Sequence, residues 1–319
     1  MTGQNSPTGS KTKCGIIAIL GRPNAGKSTL VNALVGQKIC AVSAKQQTTR
    51  NRIMGIVTVG ATQMIFADTP GLHESPKPSH LHDAMNDAAW AGLKGSDVCA
   101  YLVDLEMGFQ VEDGRYLNRL INGGAPLIWV IGSKADSIPG DRRKLAVEQL
   151  KAATRDVLLN SVPPSGRVPQ VIHWTMSAKV PTQVNELKEL WASELPDGPW
   201  LYDPDQLTDR PTQFVIGELI REQAFRLLSE ELPYRLTVAV QGVDFNQDIP
   251  HIHATIVVGQ ESHKGMVIGA GGSTIKRIGA AARPAIEELL GERVYLALKV
   301  AVDKSWYERP DSIQKYLQP

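Results

Sequence analysis

Apolar and polar positions alternate along this chain in two different patterns. Over the first two thirds, short apolar runs are separated by stretches long enough for amphipathic helices. The run 14–20 (Cys-Gly-Ile-Ile-Ala-Ile-Leu) passes through a Gly- and Pro-bearing turn into a helix-like segment, 29–35. Residues 52–59 and 63–67, rich in β-branched or apolar side chains, read as two short strands with Gly60 between them. A polar, Pro-bearing stretch at 72–82 precedes helical periodicity from about 83 to 94. Then come a strand at 98–103, a helix at 112–121, a strand at 126–131, an exposed amphipathic helix at 142–159, a strand at 170–174 and a helix ending near 195. Strands alternating with helices predict an α/β domain whose mainly parallel sheet is covered on both faces.

From 195 to 211 the pattern breaks down. Pro196, Pro199, Pro204 and Pro211 are interleaved with Asp197, Asp203, Asp205 and Asp209, as in a linker. Beyond it, residues 212–229 have helical apolar spacing (Phe214, Val215, Leu219, Phe225, Leu228). Strands follow at 236–240 and 252–258, then a short helix-like piece at 264–268 and the run Gly269-Ala270-Gly271-Gly272. A helix that Ser273 caps runs to about 290, and a last strand spans 294–302. The order α-β-β-α-α-β predicts a smaller α+β domain. The expected organisation is a flexible tail (1–12), a first domain (13–195), a linker (196–211), a second domain (212–303) and a C-terminal tail (304–319).

Composition adds bounds. A chain of 319 residues is long for one core and comfortable for two domains. With 42% apolar and 21% charged residues it is an ordinary globular sequence, and a net charge of +1 makes any nucleic-acid-binding surface a local one. Cys14, Cys40 and Cys99 are odd in number and sit in apolar surroundings, which favours buried thiols in a reducing compartment over disulfides or a metal site. No apolar run approaches the ~18 residues of a membrane span, and the first dozen residues lack the apolar core of a signal peptide. The expected location is the cytoplasm.

The candidate chemistry gathers at the ends of predicted strands, the edge where open α/β sheets bind ligands. Gly21-Arg22-Pro23-Asn24-Ala25-Gly26-Lys27-Ser28-Thr29 joins a strand to a helix. Such a loop turns backbone N–H groups toward one point, a nest for phosphate. Lys27 reaches the β- and γ-phosphates, and the Ser28 hydroxyl suits Mg²⁺. Asp68-Thr69-Pro70-Gly71 offers a carboxylate to the Mg²⁺ shell and the Gly71 N–H to a γ-phosphate oxygen. Asp136, in Ser133-Lys134-Ala135-Asp136, decides the purine. An ionised carboxylate only accepts, and guanine offers it N1–H and the 2-amino group where adenine does not. Lys134 can lie along the base plane, and Ser177-Ala178-Lys179 supplies a backbone N–H toward guanine O6. The nucleotide read is GTP.

In these motifs the sequence resembles the translation-factor-like Ras-superfamily GTPases, P-loop proteins whose five nucleotide motifs occur here in order. Ser133 departs from the family, which usually has an Asn whose amide ties the base-binding loop to the phosphate loop and faces the purine. Leu72 stands where Ras-like enzymes carry a water-orienting Gln. That places the chain in a branch with an apolar residue there, whose members with Asn in the phosphate loop use K⁺ in place of an arginine finger. The resemblance therefore implies Asn24 as a K⁺ ligand and Lys27, Asn24, Thr49 and Gly71 as catalytic residues. Ser28, Thr49 (with Thr48 as the alternative) and Asp68 would surround Mg²⁺. Arg50 and Arg52 could act as arginines in cis or simply be solvated.

The second domain resembles a type II KH domain, with Gly269-Ala270-Gly271-Gly272 as its Gly-x-x-Gly loop. Such a loop exposes N–H groups and a helix start to a nucleic-acid backbone while bases lie beside an apolar groove. Lys264, Ile268, Gly269, Ala270, Gly271, Gly272, Lys276 and Arg277 are the implied RNA-binding residues; Ala270 stands where lysine is common. Taken together, the two domains and the linker resemble the Era family of bacterial GTPases. The resemblance implies a GTP-hydrolysing switch that binds 16S-type ribosomal RNA near its 3′ end and assists maturation of the small (30S) subunit, acting as a monomer. It also implies peripheral association with the inner face of the cell membrane. Two other readings remain: a nucleotide-gated RNA-binding module with negligible turnover, and a P-loop ATPase or kinase. His251 and His253, spaced to share a strand face, read as a polar surface in preference to a metal site. Trp306, Tyr307 and Tyr316 could stack on bases or pack a C-terminal segment.

Overall fold

The computed structural model describes residues 11–43, 45, 50–72, 90, 93, 95–125, 127–161, 163, 166–229, 232–304 and 306. The expectations for Thr48 and Thr49, the helix at 83–94, Tyr307, Tyr316 and most of both tails lie outside these residues. The chain divides into two compact units. One is Met1–Gly36, Met54–Asp68 and Gly92–Asp209; the other is Gln37–Ile53, Thr69–Ala91 and Arg210–Pro319.

The first unit is built on a six-stranded sheet ordered β2-β3-β1-β4-β5-β6. The strands are β1 (Lys13–Gly21), β2 (Ile53–Val59), β3 (Thr62–Asp68), β4 (Val98–Asp104), β5 (Leu127–Ser133) and β6 (Gln170–Thr175). β2 and β3 are joined by the tight turn Gly60-Ala61, which forces them antiparallel. The pairings β1–β3, β1–β4, β4–β5 and β5–β6 are all parallel. Central parallel strands bury both faces, hence their continuous apolar runs: Ile17 to Leu20, Val98 to Leu102 and Ile128 to Ile131 are almost wholly inaccessible. The helices are α1 (Lys27–Val35), α2 (Val111–Asn122), α3 (Gly140–Leu159) and α4 (Pro181–Glu194). Helix α1 ends at Gly36, whose left-handed backbone (φ 80°) turns its N–H onto Asn32 O.

The proline- and aspartate-rich run after α4 is held against the sheet. Gln63, fully buried on β3, accepts from Leu201 N (2.8 Å) and Tyr202 N (3.0 Å) through Oε1 and donates through Nε2 to Tyr202 O (2.8 Å). Trp200 and Tyr202 pack on the cluster Cys14, Met54, Ile65 and Ala67. Asp209 Oδ1 accepts from Met54 N at 2.9 Å. The backbone of a proline-broken segment cannot satisfy itself as a helix or a sheet, so buried side chains complete its hydrogen bonds. Cys14, Cys40 and Cys99 are buried thiols that form no disulfide.

The second unit carries α5 (Thr212–Leu227), β7 (Leu236–Asp244), β8 (His251–Val258), α6 (Glu261–Ile268), α7 (Ser273–Leu290) and β9 (Tyr295–Val302), the predicted α-β-β-α-α-β order. Its sheet is β7-β8-β9, antiparallel between the first pair and parallel between the second. Ile216, Ile220, Ile252, Ile256, Ile278 and Ile286 lie at the centre of its core.

Helix α5 is buried around most of its circumference, and part of its cover is the segment Gln37–Ile53. The inaccessible carboxylate of Glu222 takes Lys38 Nζ at 2.7 Å and Val42 N at 2.9 Å. Arg50 is only 3% exposed. It donates to Leu236 O (2.7 Å), Tyr234 O (2.8 Å) and Pro233 O (3.3 Å), and lies over the rings of Phe225 and Trp306. Burial, reinforced by nearby Arg221, pushes its pKa down; the carbonyls and ring faces replace the lost water. Arg50 is thus neither solvated nor displayed as a catalytic arginine. Trp306 is fully buried with Nε1 on Arg235 O at 3.1 Å, a packing residue and not a base-stacking platform. His251 stacks on Tyr295 with ring centroids 4.8 Å apart. Among the described residues, no group of three or more His, Cys, Asp or Glu could hold a metal, and no helix is long and apolar enough to cross a membrane.

Candidate nucleotide-binding and RNA-binding sites

Parallel register carries the functional residues of the first unit to one edge of the sheet. Gly21 pairs with Leu102, Asp104 with Ser133, and Gly132 with Thr175, so β1, β4, β5 and β6 end together. Between those ends lies a cavity of about 320 Å³, lined by residues that include Gly26, Thr29, Ser133, Lys134, Asp136, Ser177, Ala178 and Lys179. Its walls include Leu30, Leu102, Ile131 and Met176, apolar surface suited to the faces of a planar base.

Backbone geometry explains the residue types of the phosphate loop. Gly21 has φ 142°, and a Cβ there would lie 2.4 Å from Leu102 O. No side chain fits beside that strand. Gly26 (φ 93°) starts α1 in the left-handed region, and Asn24 adopts φ 63°, which asparagine tolerates better than most residues. Lys27 is 6% exposed. Its ammonium curls back onto its own loop, donating to Gly21 O at 3.0 Å and Arg22 O at 2.8 Å. Burial pulls its pKa down to about 8, against an opposing pull from the Asp68 carboxylate. A buried cation beside a cradle of N–H groups is arranged for an anion. Ser28 at the head of α1 and the buried Asp68 at the end of β3 provide only oxygen donors, which suits a hard cation such as Mg²⁺. Thr49, the further oxygen ligand expected there, lies outside the described residues. Leu72 is buried and apolar, with nothing to orient a water.

At the base end, Ser133 Oγ lies 2.7 Å from Ala25 O and 3.1 Å from Val103 O. This hydroxyl therefore ties the base-binding loop to the phosphate loop, the part of the amide's work that a shorter side chain still reaches. Lys134 takes the left-handed conformation (φ 55°), and its Nζ rests 2.6 Å from Asp104 Oδ2. Asp136 Oδ2 accepts from Lys179 Nζ at 2.9 Å. Hydrogen bonding from Ser177, and then from Lys179, holds the Asp136 carboxyl below its ordinary range, so it meets a ligand as an acceptor only. The loop bearing Ser177 is braced by Gln183 Oε1, which accepts Ser177 N at 2.8 Å.

Three supporting side chains were not foreseen. Asp104 had a usable signal, an acid at the carboxyl end of a predicted strand. Gln183, inside a polar helix stretch, had none. Asp113, inaccessible on α2, accepts from Tyr101 OH and Gln110 N, both at 2.8 Å, and lies 3.8 Å from Arg22 of the phosphate loop.

In the second unit, Gly269 (φ 72°), Gly271 (φ 56°) and Gly272 (φ 77°) link α6 to α7. A Cβ on Gly269 would meet Thr274 Oγ1 at 2.3 Å and Thr274 N at 2.9 Å, so only glycine allows this tight turn. The N-cap of α7 is Gly272 in the left-handed region, and Ser273 is the first helical residue with no side-chain cap bond. The expected serine cap is corrected. Glycine serves because an exposed turn leaves the helix-start N–H groups open to an outside anion. Ala270, Gly271, Lys276 and Arg277 are exposed, and Lys264 and Ile268 half-buried. No acidic residue occupies the first turn of α7.

Comparison with known proteins finds a family match in each of the two parts of the chain. Residues 16–133 match the family described as 50S ribosome-binding GTPase, and residues 231–307 match the KH domain family. The chain is 41% identical over 297 residues to GTPase Era of Nostoc sp. (strain PCC 7120 / SAG 25.82 / UTEX 2576), covering 92% of this chain and 86% of that protein. Among solved structures it resembles Era in complex with MgGDPNP and nucleotides 1506–1542 of 16S ribosomal RNA, at TM-score 0.84 and 31% identity, covering 96% of this chain and 98% of the other. It resembles a point variant of Aquifex aeolicus Era bound to GDP·AlF4⁻ at the same TM-score of 0.84 and identity of 31%, with 96% and 99% covered.

Proposed function

Because the chain belongs to the Era family of GTPases, we propose that it hydrolyses GTP to GDP and phosphate and binds the 3′-terminal region of small-subunit ribosomal RNA, in the service of 30S assembly. The observation that carries this reading is an acceptor-only Asp136 lining the same cavity as Gly26, the phosphate-loop residue that precedes the buried Lys27. An adenine base would leave that carboxylate facing an acceptor, at the cost of an unpaired charge.

Gly21 to Thr29 cradle the α- and β-phosphates, and Lys27 transfers its hydrogen bonds from Gly21 O and Arg22 O to β- and γ-oxygens. Ser28, Thr49 and Asp68 would hold Mg²⁺, which would supply positive charge to the phosphates. Gly71 N–H takes a γ-oxygen. Lys134 lies along the base, and Ala178 N–H faces O6. With Leu72 apolar and Arg50 enclosed in the second unit, neither side chain plays the glutamine or the arginine finger. Asn24, exposed at the tip of the phosphate loop, is the proposed seat of a K⁺ ion that supplies the missing charge. Hydrolysis should be faster in K⁺ than in Na⁺, and Asn24→Ala should abolish the difference; indifference of both proteins to the cation would sink the K⁺ role.

RNA backbone lies along Gly269–Gly272 and the start of α7, with Lys264, Lys276 and Arg277 meeting phosphates and Ile268 beside the bases. The switch character rests on Gln37–Ile53. This segment carries the expected Mg²⁺ ligand Thr49, yet Lys38, Val42 and Arg50 anchor it on and around α5. We assign the protein to the cytoplasm, as a monomer working on the 30S particle. GTPase rate measured with and without an RNA of the 16S 3′ end tests the whole reading: stimulation is expected, and no hydrolysis under any condition would favour the nucleotide-gated binding module.

A further inference from the structure

The base end of the cavity bears on which atoms of guanine are read. Ser133 is 7% exposed and lines the cavity. Its oxygen sits 2.7 Å from one carbonyl, Ala25 O, and 3.1 Å from another, Val103 O. Carbonyl oxygens only accept, and a hydroxyl owns a single hydrogen. That hydrogen is shared between the two carbonyls, so what Ser133 offers the cavity is a lone pair. Lys134, its neighbour, is engaged with Asp104 at 2.6 Å. Guanine carries its donors on the edge that Asp136 accepts, whereas N7, on the five-membered ring, is a pure acceptor.

We infer that this site recognises guanine without reading N7, so that 7-deazaguanine nucleotides, in which C–H replaces N7, bind as well as the natural ones. The inference rests on the reading of this cavity as a guanine nucleotide site and deepens it: specificity would reside in the N1–H, 2-amino and O6 edge alone. The reason is the proton inventory of residue 133. An amide –NH₂ has two hydrogens, enough to hold the phosphate-loop carbonyl and still reach a base acceptor; a hydroxyl has one, already spent.

The test is calorimetric titration of the full-length protein with GDP and with 7-deaza-GDP in Mg²⁺ buffer, repeated on Ser133→Asn. For the natural chain the two dissociation constants should agree within threefold. In Ser133→Asn the second amide hydrogen should restore preference for GDP by about fivefold, the worth of one neutral hydrogen bond. A preference of threefold or more for GDP in the natural chain would overturn the inference while leaving the GTPase reading intact. An unchanged ratio in a folded Ser133→Asn would overturn it too, since position 133 would not face N7. If GDP itself failed to bind the folded protein, the underlying reading would fall and the inference with it. The comparison in the natural chain stands without the variant.

Discussion

Lys27 should make nucleotide binding a proton-uptake reaction in mildly alkaline solution. Without ligand its ammonium is buried at 6% exposure, is held by two neutral carbonyls and has its pKa pulled down to about 8. Phosphate oxygens would surround the same group with negative charge, raising the pKa again. The sign follows by linkage: the bound form holds the proton more tightly, so affinity is full below pH 8 and falls above it. With a pKa of about 8 in the free protein and the ammonium staying protonated in the bound form, affinity should drop about fourfold from pH 7 to 8.5, roughly 0.8 kcal/mol. At pH 8.5 about three quarters of a proton should be taken up per GDP bound. Titration calorimetry in two buffers of different ionisation enthalpy measures that number directly. Lys27→Met should bind more weakly overall but show no buffer dependence, which separates the lysine from any titration of the base. Affinity flat to pH 8.5 with no buffer-dependent heat would refute the claim that burial has displaced this pKa.

Ser133→Ala removes the only hydrogen offered to Ala25 O by this side chain and should weaken GDP binding five- to thirtyfold, about 1–2 kcal/mol, measured by fluorescence of a labelled nucleotide. Gly269→Ala forces a Cβ onto Thr274; RNA affinity measured by gel shift should fall at least tenfold while GDP affinity is unchanged. Arg50→Ala empties the cage formed by Leu236 O, Tyr234 O, Phe225 and Trp306 and should cost the second unit roughly 3 kcal/mol, read as an earlier urea transition. The opposite result, no shift, would mean that the cage adds nothing to stability.

Local order was legible because it is written locally. The parallel sheet followed from continuous apolar runs at Ile17–Leu20 and Ile128–Ile131, and the second unit's element order from period and glycine placement. Asp136, Lys27 and Asp68 were recognisable because each sits at or past the end of a strand, the edge where open α/β sheets bind ligands. Helix and strand ends were less legible: α1 begins at Lys27, two residues before its apolar pattern, because the turn at Gly26 and not hydrophobicity starts it.

What the amino-acid sequence determined by itself was the chemistry on offer: a phosphate nest, an acceptor-only carboxylate for guanine, a glycine turn that bares a helix start, and Leu72 in place of a water-orienting glutamine. What only the tertiary structure decided was where groups distant along the chain spend their hydrogen bonds. Nothing near Arg50 in sequence announces the rings of Phe225 and Trp306, and nothing near Gln63 announces the backbone of Leu201 and Tyr202. Ser133 looked like a weakened asparagine until Ala25 O and Val103 O were seen to claim its one hydrogen. The physical reason is the same in each case. A side chain's repertoire of donors and acceptors is intrinsic, but which partner takes them depends on packing between segments that meet only after folding.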